Sequence, residues 1–410
     1  MTINQKILLI TSCYPRSEQD NSGIFLRYLA THLAREKLTK KKPEIHILAP
    51  DDAQIQPTPL DPQVVVHTFR YFPRRWQTLA YGSGILPNLR RHPARYLQLP
   101  FFILCQWFAL VHLCRKLRPA ILHAHWILPQ GLLAVVTGSL FSIPVITTAH
   151  GGDVFALQGS LTGILKRWVL HHSTCWTANS QATASAAGKI NKSPVIVPMG
   201  VDSRLFHPGI GCEPTEAVAG TPQTILFVGR LVHKKGTGCL LKAFAGLPAS
   251  QRSKSRLVIV GDGLLKSTLQ AQAKALGINQ QVRFLGNLPN RDLPALYCAA
   301  DLFVAPSIRD AQGDTEGLGV ILLEAMACGT AIIASAIGGI TEVIRDLENG
   351  LLVPPGKAPA LTAAMERLLA DPKLCRTLAR NGLQLIEKHY QWSAISAQFC
   401  ALYQQSLIDH

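Results

Sequence analysis

Short apolar runs alternate with helical patterns along nearly the whole chain, and this alternation limits the possible folds more than any other feature. Repeated strand–helix units are typical of parallel sheets with crossover helices, so we predict an α/β protein. The first series of strand candidates covers residues 6–12, 45–49, 64–68, 120–124, 145–148, 173–178 and 195–198. The second series covers residues 224–229, 256–261, 282–286, 302–305, 331–335 and 350–353.

Residues 203–222 separate the two series. They contain three prolines and three glycines, a composition typical of a linker. A chain of 410 residues is long enough to build two hydrophobic cores. We therefore predict two doubly wound α/β domains, at residues 1–202 and 223–390, followed by a helix over about 391–410.

The net charge of +16 is distributed unevenly. Residues 1–200 contain 21 Lys and Arg against 8 Asp and Glu, whereas residues 201–410 contain 20 against 17. The basic excess is densest between Arg70 and Arg118. No nucleic-acid-binding signature accompanies it, so we predict no nucleic-acid partner. An anionic membrane surface is the partner that we expect for this region, with binding that weakens at high salt.

The apolar segment 97–114 lies inside this basic region and has three interpretations. Its length favours a buried core helix. Its basic flanks also fit a segment that lies in a membrane interface. It falls short of the run of about 20 apolar residues that a spanning helix needs.

The ten cysteines are scattered singly, without the paired spacing of a zinc or thioredoxin-type site. We expect them to be buried small side chains in a reducing compartment. The apolar stretch 7–10 is too short for the core of a signal peptide and fits a first buried strand better. These features predict a cytoplasmic protein.

Two glutamates, Glu316 and Glu324, lie eight positions apart around the expected start of a helix near Gly319. Carboxylates accept hydrogen bonds from paired hydroxyls, and a helix N-terminus attracts phosphate. We therefore predict that Glu316, Glu324 and the amides near Gly317, Leu318 and Gly319 bind a ligand with a ribose, a pyrophosphate and a sugar.

A basic loop follows the strand candidate 224–229. It contains Arg230 and Lys235, with Gly229 and Gly236 at its ends. Glycine allows close backbone approach to a ligand, and Arg and Lys are the usual side chains for phosphate. We predict a diphosphate site here, and we expect His233 and Lys234 to face solvent without a role.

Other turns at strand ends carry further candidate residues. His150 opens a Gly-Gly turn that also contains Asp153, and Trp126 follows His123 and His125. Trp126 could stack on a sugar or pack in the core. The two histidines at i and i+2 suggest metal ligation only with a third partner, which the sequence does not indicate.

Four of these segments resemble, in order, the motifs of retaining GT-B glycosyltransferases of family 4. In chain order they are the turn at residues 150–153, residues 198–202, where Met199 replaces the usual Asn, the loop from Gly229 to Gly236, and the run from Glu316 to Glu324. The resemblance covers about residues 6–392. It implies a GT-B fold, with two Rossmann-like doubly wound domains facing each other across a cleft. It also implies that the last helix crosses back onto the N-terminal domain.

The resemblance assigns a role to individual residues. Arg230 and Lys235 would neutralise the departing nucleoside diphosphate without an obligatory metal or other cofactor. Glu324 would hold the ribose, Glu316 would contact the donor sugar, and His150 would touch that sugar. Gly23 would let the backbone meet the diphosphate, and Gly261 would form a wall of the nucleotide site. Asp153 and Trp126 would lie on the acceptor side.

The implied activity is transfer of a sugar, with retention of configuration, from a UDP- or GDP-sugar to a hydroxyl. A glycan or a lipid-linked intermediate at the inner face of a membrane is the expected acceptor. The alternatives are another GT-B reaction and a catalytically silent sugar-nucleotide-binding subunit. One departure from the family pattern is the stretched segment 306–316, which contains Asp310 and Asp314. We expect a polar surface loop there rather than a cation site.

Overall fold

The computed structural model describes residues 5–18, 20–38, 41–52, 61–82, 84–157, 159–209 and 222–409. The chain divides into two compact units. Met1–Pro198 and Trp392–His410 form the first unit, and Met199–Gln391 form the second.

The sheet of the first unit has seven parallel strands in the order β3-β2-β1-β4-β5-β6-β7. Its buried strands are rich in Ile, Leu and Val, as expected for a sheet covered on both faces. The strands are β1 (Lys6–Ile10), β2 (Glu44–Pro50), β3 (Val64–Phe69), β4 (Ile121–His125), β5 (Val145–Ala149), β6 (Cys175–Ala178) and β7 (Val195–Ile196).

Helices connect these strands and cover the sheet. They are α1 (Ile24–Leu33), α2 (Ile85–Arg91), α3 (Leu99–Leu117), α4 (Leu132–Phe141), α5 (Gly151–Phe155), α6 (Ser160–His172) and α7 (Gln181–Ala186). The crossovers through α3, α4 and α6 run in the same direction along the sheet. Right-handed connections therefore place these three helices in one layer. In agreement with this, α3 packs against α4, and α4 packs against α6.

The second unit contains a six-stranded parallel sheet in the order β10-β9-β8-β11-β12-β13. Its strands are β8 (Gln223–Val228), β9 (Ser255–Val260), β10 (Val282–Gly286), β11 (Leu302–Ala305), β12 (Ala331–Ser335) and β13 (Leu351–Val353). Its helices are α8 (Thr237–Ala245), α9 (Ala249–Arg252), α10 (Lys266–Ala275), α11 (Leu293–Cys298), α12 (Val320–Ala327), α13 (Ile340–Val343), α14 (Ala358–Ala370) and α15 (Pro372–Leu385). The predicted α/β class, with two Rossmann-like domains, is confirmed.

The boundary between the units lies at Pro198, whereas the sequence analysis places the end of the first domain at residue 202. The difference has a physical reason. The Val201 amide donates to the Tyr390 carbonyl oxygen at 2.8 Å, and Val201 forms a bridge with Gln391. These contacts hold residues 199–202 in the second unit. Most of the predicted linker 203–222 falls outside the described residues.

The last helix, α16 (Trp392–Ile408), belongs to the first unit and packs against α1. Trp392 and Tyr403 of this helix are buried, and Ser396 Oγ donates to Glu36 Oε1 at 3.2 Å. The chain therefore returns to its N-terminal unit at its end.

Candidate active site

The order of strands in the second unit brings together two loops that are far apart in sequence. Chain direction along the sheet reverses between β8 and β11, and open α/β sheets bind ligands at the carboxyl ends of strands where such a reversal occurs. The loop after β8 carries Arg230 and Lys235, and the segment after β11 leads to Glu316. Gly236, at a φ of 67°, packs so closely on this segment that a Cβ there would lie 1.8 Å from the Pro306 carbonyl oxygen.

Lys235 and Glu316 form an ion pair at this point. Lys235 Nζ donates to Glu316 Oε2 at 2.6 Å, and the two side chains are only 11% and 15% exposed. Ser307 Oγ donates to the same oxygen at 3.4 Å. Lys235, predicted to bind the diphosphate, and Glu316, predicted to bind the donor sugar, are thus in direct contact. The sequence analysis did not anticipate this contact.

Nearby cations control the ionisation of Glu316. Burial alone would raise the pKa of this carboxyl, but Lys235, Lys234 and Arg230 outweigh burial and lower the pKa to about 2. Glu316 is therefore a carboxylate at neutral pH. The cluster holds more positive than negative charge, as a site for an anionic ligand requires.

Glu324 lies in the middle of α12, which begins just after Gly319, and is held by an aromatic hydroxyl. Tyr297 Oη donates to Glu324 Oε2 at 2.9 Å, and both residues are buried. Burial raises the pKa of Glu324 to about 7, against the opposing effects of the Tyr297 hydrogen bond and of Lys235. Glu324 therefore titrates near neutrality, in contrast to Glu316.

The structure corrects the expectation that Lys234 faces solvent without a role. Lys234 Nζ donates to Asp314 Oδ1 at 3.0 Å and to the Thr315 carbonyl oxygen at 3.2 Å, and its side chain is only 12% exposed. Lys234 thus anchors the stretched segment 306–316 to the basic loop. His233, by comparison, is exposed, as expected.

The two aspartates of the stretched segment organise a turn. Asp310 Oδ1 accepts hydrogen bonds from the amides of Gln312 at 3.0 Å and Asp314 at 2.9 Å. Within the described residues, no group of three or more His, Cys, Asp or Glu side chains could hold a metal ion.

Two glycines define the backbone around the basic loop. Gly261 has a φ of 127°, and a Cβ there would lie 2.0 Å from the Gly229 carbonyl oxygen. The turn after β9, which contains the predicted wall residue Gly261, therefore touches the start of the basic loop. Gly319 has a φ of 82° and precedes α12, so Gly317, Leu318 and Gly319 occupy the predicted approach to the helix N-terminus.

In the first unit, His150 is the N-cap residue just before α5 and is held by Asp153. The Asp153 carboxylate accepts the His150 amide at 2.9 Å through Oδ1 and the Ile127 amide at 2.7 Å through Oδ2. Burial raises the pKa of Asp153 to about 7, against the opposing effect of these amides. Because both oxygens bind backbone amides, this geometry favours a role for Asp153 in shaping the His150 turn over direct acceptor contact.

A chain of buried histidines continues from His150. His150 Nε2 lies 3.2 Å from His125 Nδ1, and the ring of His125 lies 4.3 Å from that of His123. His123 in turn is bonded to Tyr403 Oη of α16 at 2.8 Å and to Thr148 Oγ1 at 2.7 Å. Burial lowers the pKa of His123 and of His150 to about 3, and lowers that of His125 well below its usual value. The three imidazoles are therefore neutral at physiological pH.

Aromatic rings surround His150. Trp126, at a φ of 75°, has its ring 5.0 Å from that of His150, and the Phe25 ring lies 5.2 Å from it. Phe25 belongs to α1, just after Gly23. A Cβ at Gly23 would lie 2.8 Å from the Cys13 carbonyl oxygen, so this turn needs glycine. The carboxyl ends of β1, β4 and β5 thus supply one cluster.

Each unit thus gathers its own part of the predicted residues. The second unit contains Arg230, Lys235, Gly261, Glu316, Glu324 and the residues 317–319. The first unit contains Gly23, Trp126, His150 and Asp153. Sequence reasoning missed Phe25, His125, Lys234 and Tyr297 as neighbours of these residues. The i, i+2 spacing of His123 and His125 at a strand end was the one available signal, since it places both rings on one face of β4.

Two family models match successive parts of the chain. Glycosyltransferase Family 4 matches residues 23–205, and Glycosyl transferases group 1 matches residues 214–385. The chain is also 33% identical, over 292 residues, to a GDP-mannose-dependent alpha-(1-6)-phosphatidylinositol monomannoside mannosyltransferase of Mycolicibacterium smegmatis, covering 67% of this chain and 73% of the relative. The chain is a GT-B glycosyltransferase of family 4. The predicted family is confirmed.

Other relatives of this glycosyltransferase differ in their activities. It is 28% identical over 299 residues to a glycogen synthase of Mycobacterium tuberculosis, covering 70% of this chain and 69% of the relative. Its fold matches sucrose-phosphate synthase from Thermosynechococcus elongatus at 24% identity and a TM-score of 0.79, over 99% and 100% of the two chains. It also matches Anabaena HepE, solved with UDP-glucose, at 19% identity and a TM-score of 0.73, over 98% and 99%.

Proposed function

We propose that this glycosyltransferase moves a sugar from a UDP- or GDP-sugar to a hydroxyl of a glycan or lipid-linked acceptor, with retention of configuration. The named relatives support nucleotide-sugar chemistry. One is described as GDP-mannose-dependent and as acting on a phosphatidylinositol monomannoside, and the HepE structures contain UDP or UDP-glucose. The choice between donors, and the acceptor itself, are part of the proposal.

The observation that carries the proposal is the cation cluster at the reversal point of the second sheet. Lys235 is buried beside Glu316, and Arg230 lies close enough to lower the pKa of Glu316. An ammonium has three N–H donors, so Lys235 can hold Glu316 and a phosphate oxygen together. Arg230 adds a planar fork suited to phosphate.

The two glutamates then bind the neutral parts of the donor. Glu324 accepts the ribose hydroxyls through the oxygen that Tyr297 leaves available, and Glu316 accepts hydroxyls of the donor sugar. The amides of residues 317–319 face the diphosphate, where the partial positive charge of the α12 N-terminus adds to the cations. His150 touches the donor sugar, as the family resemblance implies.

The chemical step breaks the bond between the anomeric carbon and the phosphate oxygen and forms a bond to the acceptor oxygen on the same face. The acceptor proton passes to the departing phosphate oxygen, so charge and atoms balance. Arg230 and Lys235 stabilise the negative charge that develops on the leaving group. The protein supplies this electrostatic stabilisation and the orientation of the substrates, and catalysis needs no divalent metal.

A catalytically silent sugar-nucleotide-binding subunit is the alternative. Arg230, Lys235 and Glu316 are all present, which favours an active enzyme. Slow hydrolysis of a nucleotide sugar in the absence of acceptor separates the two, because a transferase releases nucleoside diphosphate and a silent binder does not.

The experiment that tests the proposal compares thermal stability with UDP-, GDP- and ADP-sugars. A bound donor raises the unfolding temperature by mass action. We expect sugars of one nucleotide base to raise the unfolding temperature of the wild type, and to raise that of Arg230→Ala by a smaller amount. No shift with any donor would overturn the assignment of the cluster. We further propose that the enzyme works in the cytoplasm, peripherally at the inner face of a membrane, where a lipid-linked acceptor would be presented.

A further inference from the structure

The outer face of α3 is apolar although it is exposed. Phe101, Leu104 and Phe108 recur at helical spacing and are 51%, 48% and 63% exposed, and Leu97, just before the helix, is 73% exposed. Large apolar side chains concentrated on one exposed face mark an interaction surface rather than ordinary scatter. This finding corrects the interpretation of segment 97–114 as a buried core helix.

The two neighbouring helices of the same layer continue the pattern. On α4, Val136 and Leu140 are exposed, and on α6, Leu161, Ile164 and Trp168 are exposed. Since α3 packs against α4 and α4 against α6, exposed side chains on all three point away from the same sheet. We call these nine residues, from Leu97 to Trp168, the apolar face.

The inner side of α3 is committed to the protein core. Phe102 is buried against the rings of Phe69 and Tyr71, and the Gln106 side-chain amide donates to the Thr11 carbonyl oxygen at 3.1 Å. By length and composition the helix over Pro93–Leu117 could cross a membrane. These core contacts leave only its outer side available to lipid, which is the arrangement of an interfacial helix.

The charge around the apolar face has one sign. Residues 62–201 contain 13 Lys and Arg but a single carboxylate, Asp153, which is buried. Exposed Arg90 and Arg91 precede α3, and exposed Arg115, Lys116 and Arg118 lie at its end. Basic residues at both ends of an exposed apolar helix face match an anionic bilayer, whose headgroups surround an apolar interior.

We infer that this enzyme docks on anionic lipid bilayers by inserting the apolar face into the interface, with the arginines at the ends of α3 on the lipid headgroups. Electrostatic attraction by basic residues alone would be lost at high salt, whereas insertion of these side chains leaves a salt-resistant component. The inference does not depend on the identity of the donor.

Docking by this surface would present the bilayer to the His150 turn. Arg90 Nη2 donates to the Ala156 carbonyl oxygen at 3.2 Å, so the basic segment before α3 touches the end of α5. Leu161 begins the apolar face of α6 four residues after the described end of that turn at Leu157. A membrane-bound acceptor would therefore reach the predicted acceptor side of the first unit without leaving the interface.

The test is sedimentation of the 410-residue chain with vesicles of phosphatidylcholine alone or of phosphatidylcholine mixed with anionic phosphatidylglycerol, at low and high salt. The apolar variant is Leu104→Ser/Phe108→Ser. The matched control is Leu264→Ser/Leu285→Ser, which removes two leucines of similar exposure, 62% and 42%, from the second unit. The charge variant is Arg115→Gln/Lys116→Gln.

We expect the wild type and the control to bind anionic vesicles and to retain part of that binding at high salt. The apolar variant should lose at least tenfold in partition coefficient and all salt-resistant binding. The charge variant should lose mainly the salt-sensitive part. Thermal unfolding and donor hydrolysis should be unchanged in all variants, which excludes misfolding.

Three results would overturn the inference. The first is vesicle binding by the apolar variant that equals that of the wild type, and the second is no vesicle binding by the wild type at all. The third is a concentration-dependent dimer of the wild type in solution that the apolar variant abolishes, without vesicle binding. That result would assign the apolar face to a second copy of the chain.

Discussion

The two units of this glycosyltransferase place different kinds of chemistry at the ends of similar sheets. In the second unit, Lys235 and Glu316 are an ionised pair, and the pKa of Glu316 is lowered to about 2. In the first unit, His125 and His150 are buried neutral rings. The first kind of site suits a charged diphosphate, and the second suits an uncharged part of a substrate. Similar parallel sheets thus provide the positions, whereas burial and neighbouring charge decide what each position can bind.

Removal of the cations of the second unit tests the contrast between the two sites most directly. Arg230→Ala and Lys235→Ala should each lower kcat/KM by roughly 10- to 150-fold, since a hydrogen bond to a charged group contributes about 1.5–3 kcal/mol and ~1.4 kcal/mol corresponds to tenfold in rate. Steady-state transfer assays measure this. Values within twofold of wild type for both variants would rule out the diphosphate assignment.

The structure separates these two variants in stability. Arg230 is exposed and is the last of the cations that lower the pKa of Glu316, so its removal should lower the unfolding temperature less than removal of Lys235 does. Loss of Lys235 leaves the Glu316 carboxylate buried beside fewer cations, and should lower stability measurably. The matched control is Lys235→Ala/Glu316→Gln, which removes the unpaired charge and should regain stability without regaining activity. Recovery of activity in this double variant would contradict a role for Lys235 in leaving-group stabilisation.

The ionisation of Glu324 gives the second prediction. Its pKa of about 7 means that it gains a proton as the pH falls below neutrality and then accepts one hydroxyl hydrogen bond fewer. Donor affinity should therefore fall as the pH drops from 8 to 5.5, by up to about tenfold per unit below the pKa, the limit for one linked proton. Calorimetric titration with an intact nucleotide sugar measures this affinity at each pH. An intact nucleotide sugar has no terminal phosphate whose own ionisation would change with pH in this range.

Glu324→Gln is the control for this pH profile. It keeps the size of the side chain and a carbonyl acceptor but cannot titrate, so its donor affinity should be lower at pH 8 and nearly flat with pH. A wild-type profile that stays flat would mean that Glu324 does not bind the ribose as a carboxylate.

Part of this picture could be predicted from sequence, and part could not. The strand–helix alternation and the glycine-flanked loop were sufficient for the fold class and for the placement of Arg230 and Lys235. The contact between Lys235 and Glu316 depends on β8 and β11 being neighbours, and this pairing joins segments about 80 residues apart. The bond between His125 and His150 likewise requires the order of β4 and β5. Local patterns carry no information about such neighbours.

The apolar face shows a second limit. The sequence predicts a buried core helix for an apolar run such as 97–114. Hydrophobicity alone does not distinguish a helix that is covered on all sides from one that is covered on a single side. Only the packing of α3 reveals that Phe102 faces inwards while Phe101 and Phe108 are exposed.

A smaller effect is expected from the neutral cluster of the first unit. His125→Phe keeps an aromatic ring but removes the partner of His150 Nε2, so it should lower kcat/KM by roughly 2- to 13-fold, the equivalent of a neutral hydrogen bond of about 0.5–1.5 kcal/mol. Because the pKa of His150 is about 3, the effect should be the same at pH 6 and pH 8. The control, Trp168→Phe, lies on α6 and should leave transfer in solution unchanged. A loss in His125→Phe that appears only at low pH would show that these imidazoles titrate, and would contradict the neutral character of the site.

The smallest expected effect is that of metal removal. If Arg230 and Lys235 supply the positive charge that the leaving diphosphate needs, a divalent ion adds little to the transition state. Transfer in excess EDTA should stay within about twofold of the untreated rate, a difference of less than ~0.5 kcal/mol in the barrier. The Arg230→Ala variant sharpens the measurement, because a site that lacks one cation should gain from added Mg²⁺ or Mn²⁺ even though the wild type does not. Complete loss of wild-type transfer in EDTA, restored by either ion, would show that the charge of the second unit is insufficient on its own, and the contrast between a self-sufficient charged site and a neutral one would no longer hold.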